Sequence, residues 1–185
     1  MLSKNQKFLK SQINIFIKKY LKNFDYIYLT SDLRGFIYKF KINPNLICKT
    51  LFDQLLKEGK TVIVPAFSFK GNGVFDIKKT SSNLGFLTKW TLNNHKYIRS
   101  EHPAFSVIAV GKNKKIVSAV GKSAFGYDSF FYRLYQKKTS LMHFGRPFSL
   151  GNTVIHFVEQ IAGAFYRENI VLSTKVYFKK KYIGK

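Results

Sequence analysis

Several things are scarce in this chain. One cysteine, Cys48, stands in 185 residues, so no internal disulfide can form, and no Cys/His cluster at metal-ligand spacing supports a zinc site. His95 and His143 have no neighbours of that kind. Four prolines and no Pro/Ser/Gly-rich stretch leave nothing that reads as a linker, so one domain over residues 1–185 is expected. The apolar runs are short; even Phe105 to Gly111 falls far below the roughly 20 residues that cross a bilayer. Neither G-x-G-x-x-G nor G-x-x-x-x-G-K-S/T occurs, which removes the usual phosphate-loop signatures. The charged opening MLSKNQKFLK is unlike a signal peptide, and with the lone cysteine it suggests a reducing, cytoplasmic setting for a soluble or at most peripheral protein. Acid is scarce too: nine Asp and Glu face 32 Lys and Arg, for a formal net charge of +23.

That excess favours a polyanion as partner, whether nucleic acid, anionic lipid or a phosphorylated small molecule. An AT-rich coding sequence would also enrich Lys together with Phe, Ile, Asn and Tyr, so part of the charge is also read as compositional. The apolar share, 45% with 17% aromatic, is ample for one buried core.

Periodicity supplies an outline. Leu9, Ile13, Phe16, Ile17, Tyr20 and Leu21 recur at helical spacing among lysines, giving a basic amphipathic helix within residues 1–22 that packs on its own domain or lies on a membrane. YIYLTSDL (26–33) reads as a buried strand ending in a polar turn. A helix opens at Pro44, runs through Ile47, Leu51, Phe52, Leu55 and Leu56, and closes at Gly59; TVIVPAF (61–67) is a second strand. Strand, helix, strand predicts parallel neighbours, with Thr30, Ser31 and Asp32 at the carboxyl edge where ligands of such sheets gather, beside Pro65 to Ser68. Phe105 to Val110 and Lys115 to Val120 are expected to pair around the turn GKNK, SLMHFG (140–145) to form another strand, and a further helix to start near Thr153. The fold class is α/β (α+β), a central mixed sheet with flanking helices.

Two stretches could carry chemistry. In TVIHFVEQ (153–160), an N-cap at Asn152 or Thr153 puts His156 in the first helical turn, where the dipole favours a neutral imidazole. Glu159 lies one turn on, placed to hold the other ring nitrogen, though its charge pulls the other way. A plain surface pair on a helix has the same spacing. In RSEHPAFS (99–106), Pro103 forces His102 into an extended or turn conformation on a loop rich in donors, Arg99, Ser100 and Ser106 among them. A solvated polar loop would read the same way. Cys48 falls in mid-helix, away from the strand ends, and is discounted as a nucleophile.

Taken in order, YIYLTSDL, GKTVIVPAFSF, FDIKKTSSNLGFLTKW, YIRSEHPAFSVIAVG, FGYDSFFYRLY and SLMHFGRPFSLGNTVIHFVEQ resemble the antibiotic N-acetyltransferase family, typified by aminoglycoside 3-N-acetyltransferases. The resemblance runs from about residue 23 to near 178, and RSEHPAFS and TVIHFVEQ are its specific parts. It implies an α/β fold distinct from that of the GNAT enzymes, and acetyl transfer from acetyl-CoA to an aminosugar amine without a metal. His156 and Glu159 match the family's T-x-x-H-x-x-E segment, His102 its R-S-x-H-P loop, and Thr30, Ser31, Asp32 and Leu33 its strand-end loop near the cofactor, with Ser106 counted on the cofactor side. Three departures stand out: Lys89 where members carry a glutamate, the net charge, and a chain that stops where the family usually continues, read as a short or truncated member. Together the first two favour a nucleotide- or lipid-linked aminosugar over a polycationic antibiotic. A basic nucleic-acid-binding protein and an inactive acetyltransferase homologue are the competing readings.

Overall fold

The computed structural model describes residues 3–69 and 71–184. Its elements, in order, are α1 (Lys4–Tyr20), β1 (Tyr26–Ser31), α2 (Arg34–Phe40), α3 (Pro44–Lys57), β2 (Thr61–Pro65), β3 (Val74–Asp76), α4 (Phe86–Asn94), β4 (Ile98–Arg99), β5 (Val107–Val110), a 3-10 turn (Lys114–Val117), α5 (Phe130–Tyr135), β6 (Thr139–Phe144), α6 (Val154–Ile161), β7 (Lys175–Phe178) and β8 (Lys181–Gly184). Residues 1 and 2 of the expected N-terminal helix lie outside the described residues. Among these helices none is long and apolar enough to cross a membrane.

The β1–α3–β2 crossover closes as expected: β1 pairs parallel with β2, and on its other edge parallel with β6. Asn43 caps α3 by accepting the Asn45 N–H at 2.8 Å, Pro44 sits at its first position, and Gly59 ends it with φ +71°. β5 runs antiparallel to β2, and β4 pairs with β5, giving a mixed sheet ordered β4-β5-β2-β1-β6. A second, three-stranded sheet holds β3, β7 and β8.

Alternation along the strands splits the core between two faces. Ile27 and Leu29, Val62 and Val64, and Ile108 and Val110 point to one side, where α1, α3 and α4 cover them with Ile13, Ile17, Leu51, Phe52 and Trp90. Tyr28, Ile63, Val107 and Ala109 point to the other, beneath Phe130, Phe131 and Leu134 of α5 and Phe157 of α6. The central strands are buried on both faces, which is why they read as continuous apolar runs. Truncating a fully buried side chain such as Leu51 to alanine in this layer costs about 2–5 kcal/mol.

The strand expected over Lys115 to Val120 is replaced by the 3-10 turn. The edge of β5 is already taken by β4. The carbonyls a strand would offer go instead to the Arg133 guanidinium, which donates to Ile116 O, Ser118 O and Ala119 O.

Candidate functional site

Two concavities open at the sheet. The first lies at the carboxyl edge expected for ligands and encloses about 480 Å³ between Ser31, Asp32, Leu33 and Arg34, the α4 entry at Phe86, and Arg146. Its walls meet because Asp32 N donates to Phe144 O at 2.9 Å and Gly145, with φ +77°, runs against the Asp32 carbonyl where a side chain would clash. Arg34 donates from its backbone and Nε to Asp32 Oδ1, both at 3.0 Å. These bonds, with Arg146 nearby, bring the Asp32 carboxyl down to about 2. Arg146 donates Nη2–H to Gly151 O at 2.7 Å, while its buried Nε finds no partner among the described residues. Two guanidiniums against one carboxylate leave this pocket a net positive charge, suited to a phosphate. Thr30 stands one residue back on β1, in register with His143, its buried hydroxyl without a described partner.

The second concavity, about 820 Å³, is walled by the His102 loop, residues 120–125, and the segment after α6 that includes Tyr166 and Arg167. Its histidine is oriented from the backbone: His102 Nδ1 accepts the N–H of Ala104 at 3.2 Å and of Phe105 at 3.1 Å. Burial pushes its pKa down to about 4, against a weaker opposing pull from Asp128. The ring is therefore neutral at pH 7, and its proton is on Nε2.

The donors of this loop are spent inside the protein. Arg99, 4% exposed, has no carboxylate beside it among the described residues; it donates to Ser106 Oγ at 3.0 Å, to Ala66 O at 2.8 Å and to Thr80 O, and stacks over Phe75. Burial drags its pKa to about 10. Ser106, expected beside the cofactor, is fully buried, with its hydroxyl donated to Ala66 O at 2.8 Å. It anchors Arg99 and has no surface to offer a ligand, so that expectation is corrected. The loop is neither solvated nor a donor array; it is a rigid mount for His102.

His156 lies across the aromatic wall. Asn152 caps α6, its Oδ1 accepting Val154 N–H at 3.1 Å, and this puts His156 in the first turn as expected. Of the apolar residues of α6 only Phe157 is buried, whereas Ile155 and Val158 are exposed. The short helix meets the domain along one line, leaving His156 48% exposed. Its Nδ1 is 3.2 Å from Glu159 Oε2. Tyr166 donates to Glu159 Oε1 at 2.9 Å, and Arg167 Nη1 lies 3.2 Å from Glu159 Oε2 and 3.1 Å from His156 Nδ1. These partners, the His156 bond first and the Tyr166 bond second, hold the Glu159 carboxyl below its usual value. A carboxylate only accepts, so the pair with Glu159 requires the proton on Nδ1; Arg167 then serves Glu159, and the Nε2 lone pair is free. Rings connect the two histidines: His102 to Phe105 at 5.8 Å, Phe105 to Phe125 at 4.9 Å, Phe125 to His156 at 5.6 Å.

Tyr166, Arg167 and Arg146 were not singled out from the sequence. Arg167, eleven residues beyond His156, belongs to no motif; Arg146 lay inside the quoted GRPFSLGN without any spacing to mark it. Lys89 is exposed on α4 and lines neither concavity. Cys48 is buried and its thiol is pushed up to about 12, far from a thiolate. Among the described residues no group of three or more His, Cys, Asp or Glu could hold a metal.

The chain is similar to known proteins in sequence pattern and in fold. A sequence model of the family described as aminoglycoside 3-N-acetyltransferase matches residues 29–181. YokD protein from Bacillus subtilis is similar in structure at TM-score 0.74 and 19% identity, over 95% of this chain and 73% of that one. AAC-VIa bound to sisomicin is similar at TM-score 0.74 and 16% identity, over 94% and 72%. AAC-IIIb in a binary complex with CoASH is similar at 0.65 and 16%, over 82% and 64%. At such identities the likeness is one of fold, and the chain spans about two thirds to three quarters of those proteins. No curated protein matches it significantly.

Proposed function

The chain belongs to the aminoglycoside 3-N-acetyltransferase family, and on that footing we propose that it transfers an acetyl group from acetyl-CoA directly to an amino group of an aminosugar. The observation that carries this is the Nε2 of a half-exposed His156, left open by the Glu159 contact at Nδ1; the ring is not itself in the cleft wall but neighbours Phe125 and Arg167, which line a cleft large enough for a small-molecule acceptor.

Acetyl-CoA supplies the thioester; the similarity to a protein solved with CoASH supports it as co-substrate. The strand-end pocket suits its phosphates, with Arg34 and Arg146 as the cationic partners and Ser31, Asp32 and Leu33 as the wall. An ammonium acceptor has no lone pair, so the amine must be unprotonated to attack the carbonyl. As the C–N bond forms, His156 Nε2 takes the departing proton. Glu159 holds the tautomer and balances the imidazolium that results. The carbonyl oxygen becomes an oxyanion, and the neutral His102 offers an Nε2–H donor to meet it. Collapse breaks the C–S bond and CoA leaves as thiolate. A buried, protonated Cys48 makes a covalent acetyl-enzyme unnecessary to invoke, so both substrates bind together.

For the acceptor, the net charge of +23 supports an aminosugar that carries phosphate, nucleotide- or lipid-linked, over a polycationic aminoglycoside, and Lys89, which lines neither concavity, adds nothing to that choice. Thiol release from acetyl-CoA, measured with a panel of aminoglycosides and nucleotide-linked aminosugars, tests this. Turnover on the nucleotide-linked group is expected. Turnover on neither, with no rise in melting temperature on adding CoA, would remove the enzymatic reading.

A further inference from the structure

The N-terminal helix has more apolar surface than its domain uses. Leu9, Ile13 and Ile17 are buried against the core, and that satisfies one face. The opposite side carries Phe8 at 54% exposure and Ile15 at 52%, seven residues apart and so on one line of the helix. Around that line stand Lys4, Lys7, Lys18 and Lys19, all exposed, and α1 contains no acid at all. Phe16 and Tyr20, rings 5.2 Å apart, border it, with Lys19 Nζ above the Tyr20 ring. The pattern continues onto α2: Asn5 bonds Phe40 O, Phe8 packs 6.3 Å from the Phe40 ring, and α2 adds exposed Tyr38 and Lys39, again without an acid.

We propose that α1 docks the protein on an anionic lipid bilayer, with Phe8 and Ile15 entering the headgroup boundary and the lysines on lipid phosphates. An interfacial helix needs both features, apolar side chains on the outward face and cations ringing them. The charge selects the occupant. A second copy would set lysine against lysine, since nothing acidic on this face could answer them. Nucleic acid would need a groove that tracks its backbone; α1 is a convex rod that offers none. This surface is separate from both concavities and does not depend on the acetyl-transfer reading.

Co-sedimentation of the full chain with vesicles of phosphatidylcholine alone and of phosphatidylcholine mixed with phosphatidylglycerol tests it, with polyuridylate as competitor. Binding is expected to the anionic vesicles only, and to weaken in molar salt. The double substitution Phe8→Ser with Ile15→Ser, and separately Lys18→Gln with Lys19→Gln, should each lower the vesicle affinity roughly 10-fold or more. Both alter exposed positions, so circular dichroism and melting temperature should not move. Equal binding to neutral vesicles, vesicle affinity unchanged in the serine variant, or loss of vesicle binding to the competitor with retention on polyuridylate would each overturn the proposal.

Discussion

His102 and His156 are separated by two phenylalanine rings of one aromatic cluster, yet their surroundings assign them opposite chemistry. At His102, Nδ1 faces two backbone N–H groups, so it must accept and the proton is forced to Nε2. At His156, Nδ1 faces the Glu159 carboxylate and the Arg167 guanidinium together; where it donates to the carboxylate, a neutral ring carries its lone pair on Nε2. In the proposed reaction one ring presents an N–H donor to the cleft and the other a base. Burial strengthens the first assignment by excluding the imidazolium; the second ring is half exposed. What sits behind a histidine, more than the histidine itself, decides what its front can do.

Breaking the base should produce the largest effect. His156→Ala is expected to lower kcat for acetyl transfer ~10²–10⁴-fold, with the melting temperature preserved because the side chain is half exposed; an unaltered kcat in a folded variant would take the histidine out of the reaction. Removing only the donor comes next. In His102→Asn the amide oxygen still accepts the Ala104 and Phe105 N–H groups, so the loop holds, but the Nε2–H is gone. A loss of roughly 10²–10³-fold in kcat with little change in KM is expected. A loss confined to KM would assign His102 to binding alone.

The same variant sharpens the contrast through pH. His102 titrates near 4 in the folded protein and near 6.5 in the unfolded chain. Above pH 6.5 neither state is charged there and the group contributes nothing to the pH dependence. Between 6.5 and 4 only the unfolded chain takes the proton, so stability falls, by about 3 kcal/mol in total, and the loss levels off below 4. Denaturant titrations across this window should show a steeper acid loss for the unaltered protein than for His102→Asn; parallel curves would refute the buried, neutral ring. Disturbing the orienting group should matter least. Glu159→Leu frees Nδ1 to accept from Arg167, which favours the tautomer with its proton on Nε2. Loss of one charge-assisted bond of about 1.5 kcal/mol predicts roughly a tenfold fall in kcat, with part of it regained when Arg167→Met is added. No recovery in the double variant would rule out competition between Glu159 and Arg167 for that nitrogen.

The parts legible in the sequence share one property, that neighbours in the chain determine them. β1, α3 and β2 were readable because a strand buried on both faces is a short apolar run, and because Pro44 and Gly59 bracket a helix wherever they bracket a 3.6-residue period. Asn152 and the His156–Glu159 spacing were readable for the same reason, one turn of helix joining them. Lys115 to Val120 misled because its apolar residues imitate an edge strand, while the edge was already occupied and its carbonyls went to Arg133. Ser106 misled because a serine beside a polar loop looks available, and only its packing against Arg99 and Ala66 shows that it is not.

Local order, then, determined α1, α3 and α6, the parallel pair β1 and β2, the family pattern and the place of His156 at the start of its helix. Folding alone decided which groups face Nδ1 of each histidine, the delivery of Tyr166 and Arg167 to Glu159, and the meeting of Arg34 with Arg146 at one pocket. The reason is physical: a hydrogen bond within a turn depends on spacing along the chain, whereas a tautomer or a local charge depends on every group within a few ångströms, most of them brought there from distant parts of it.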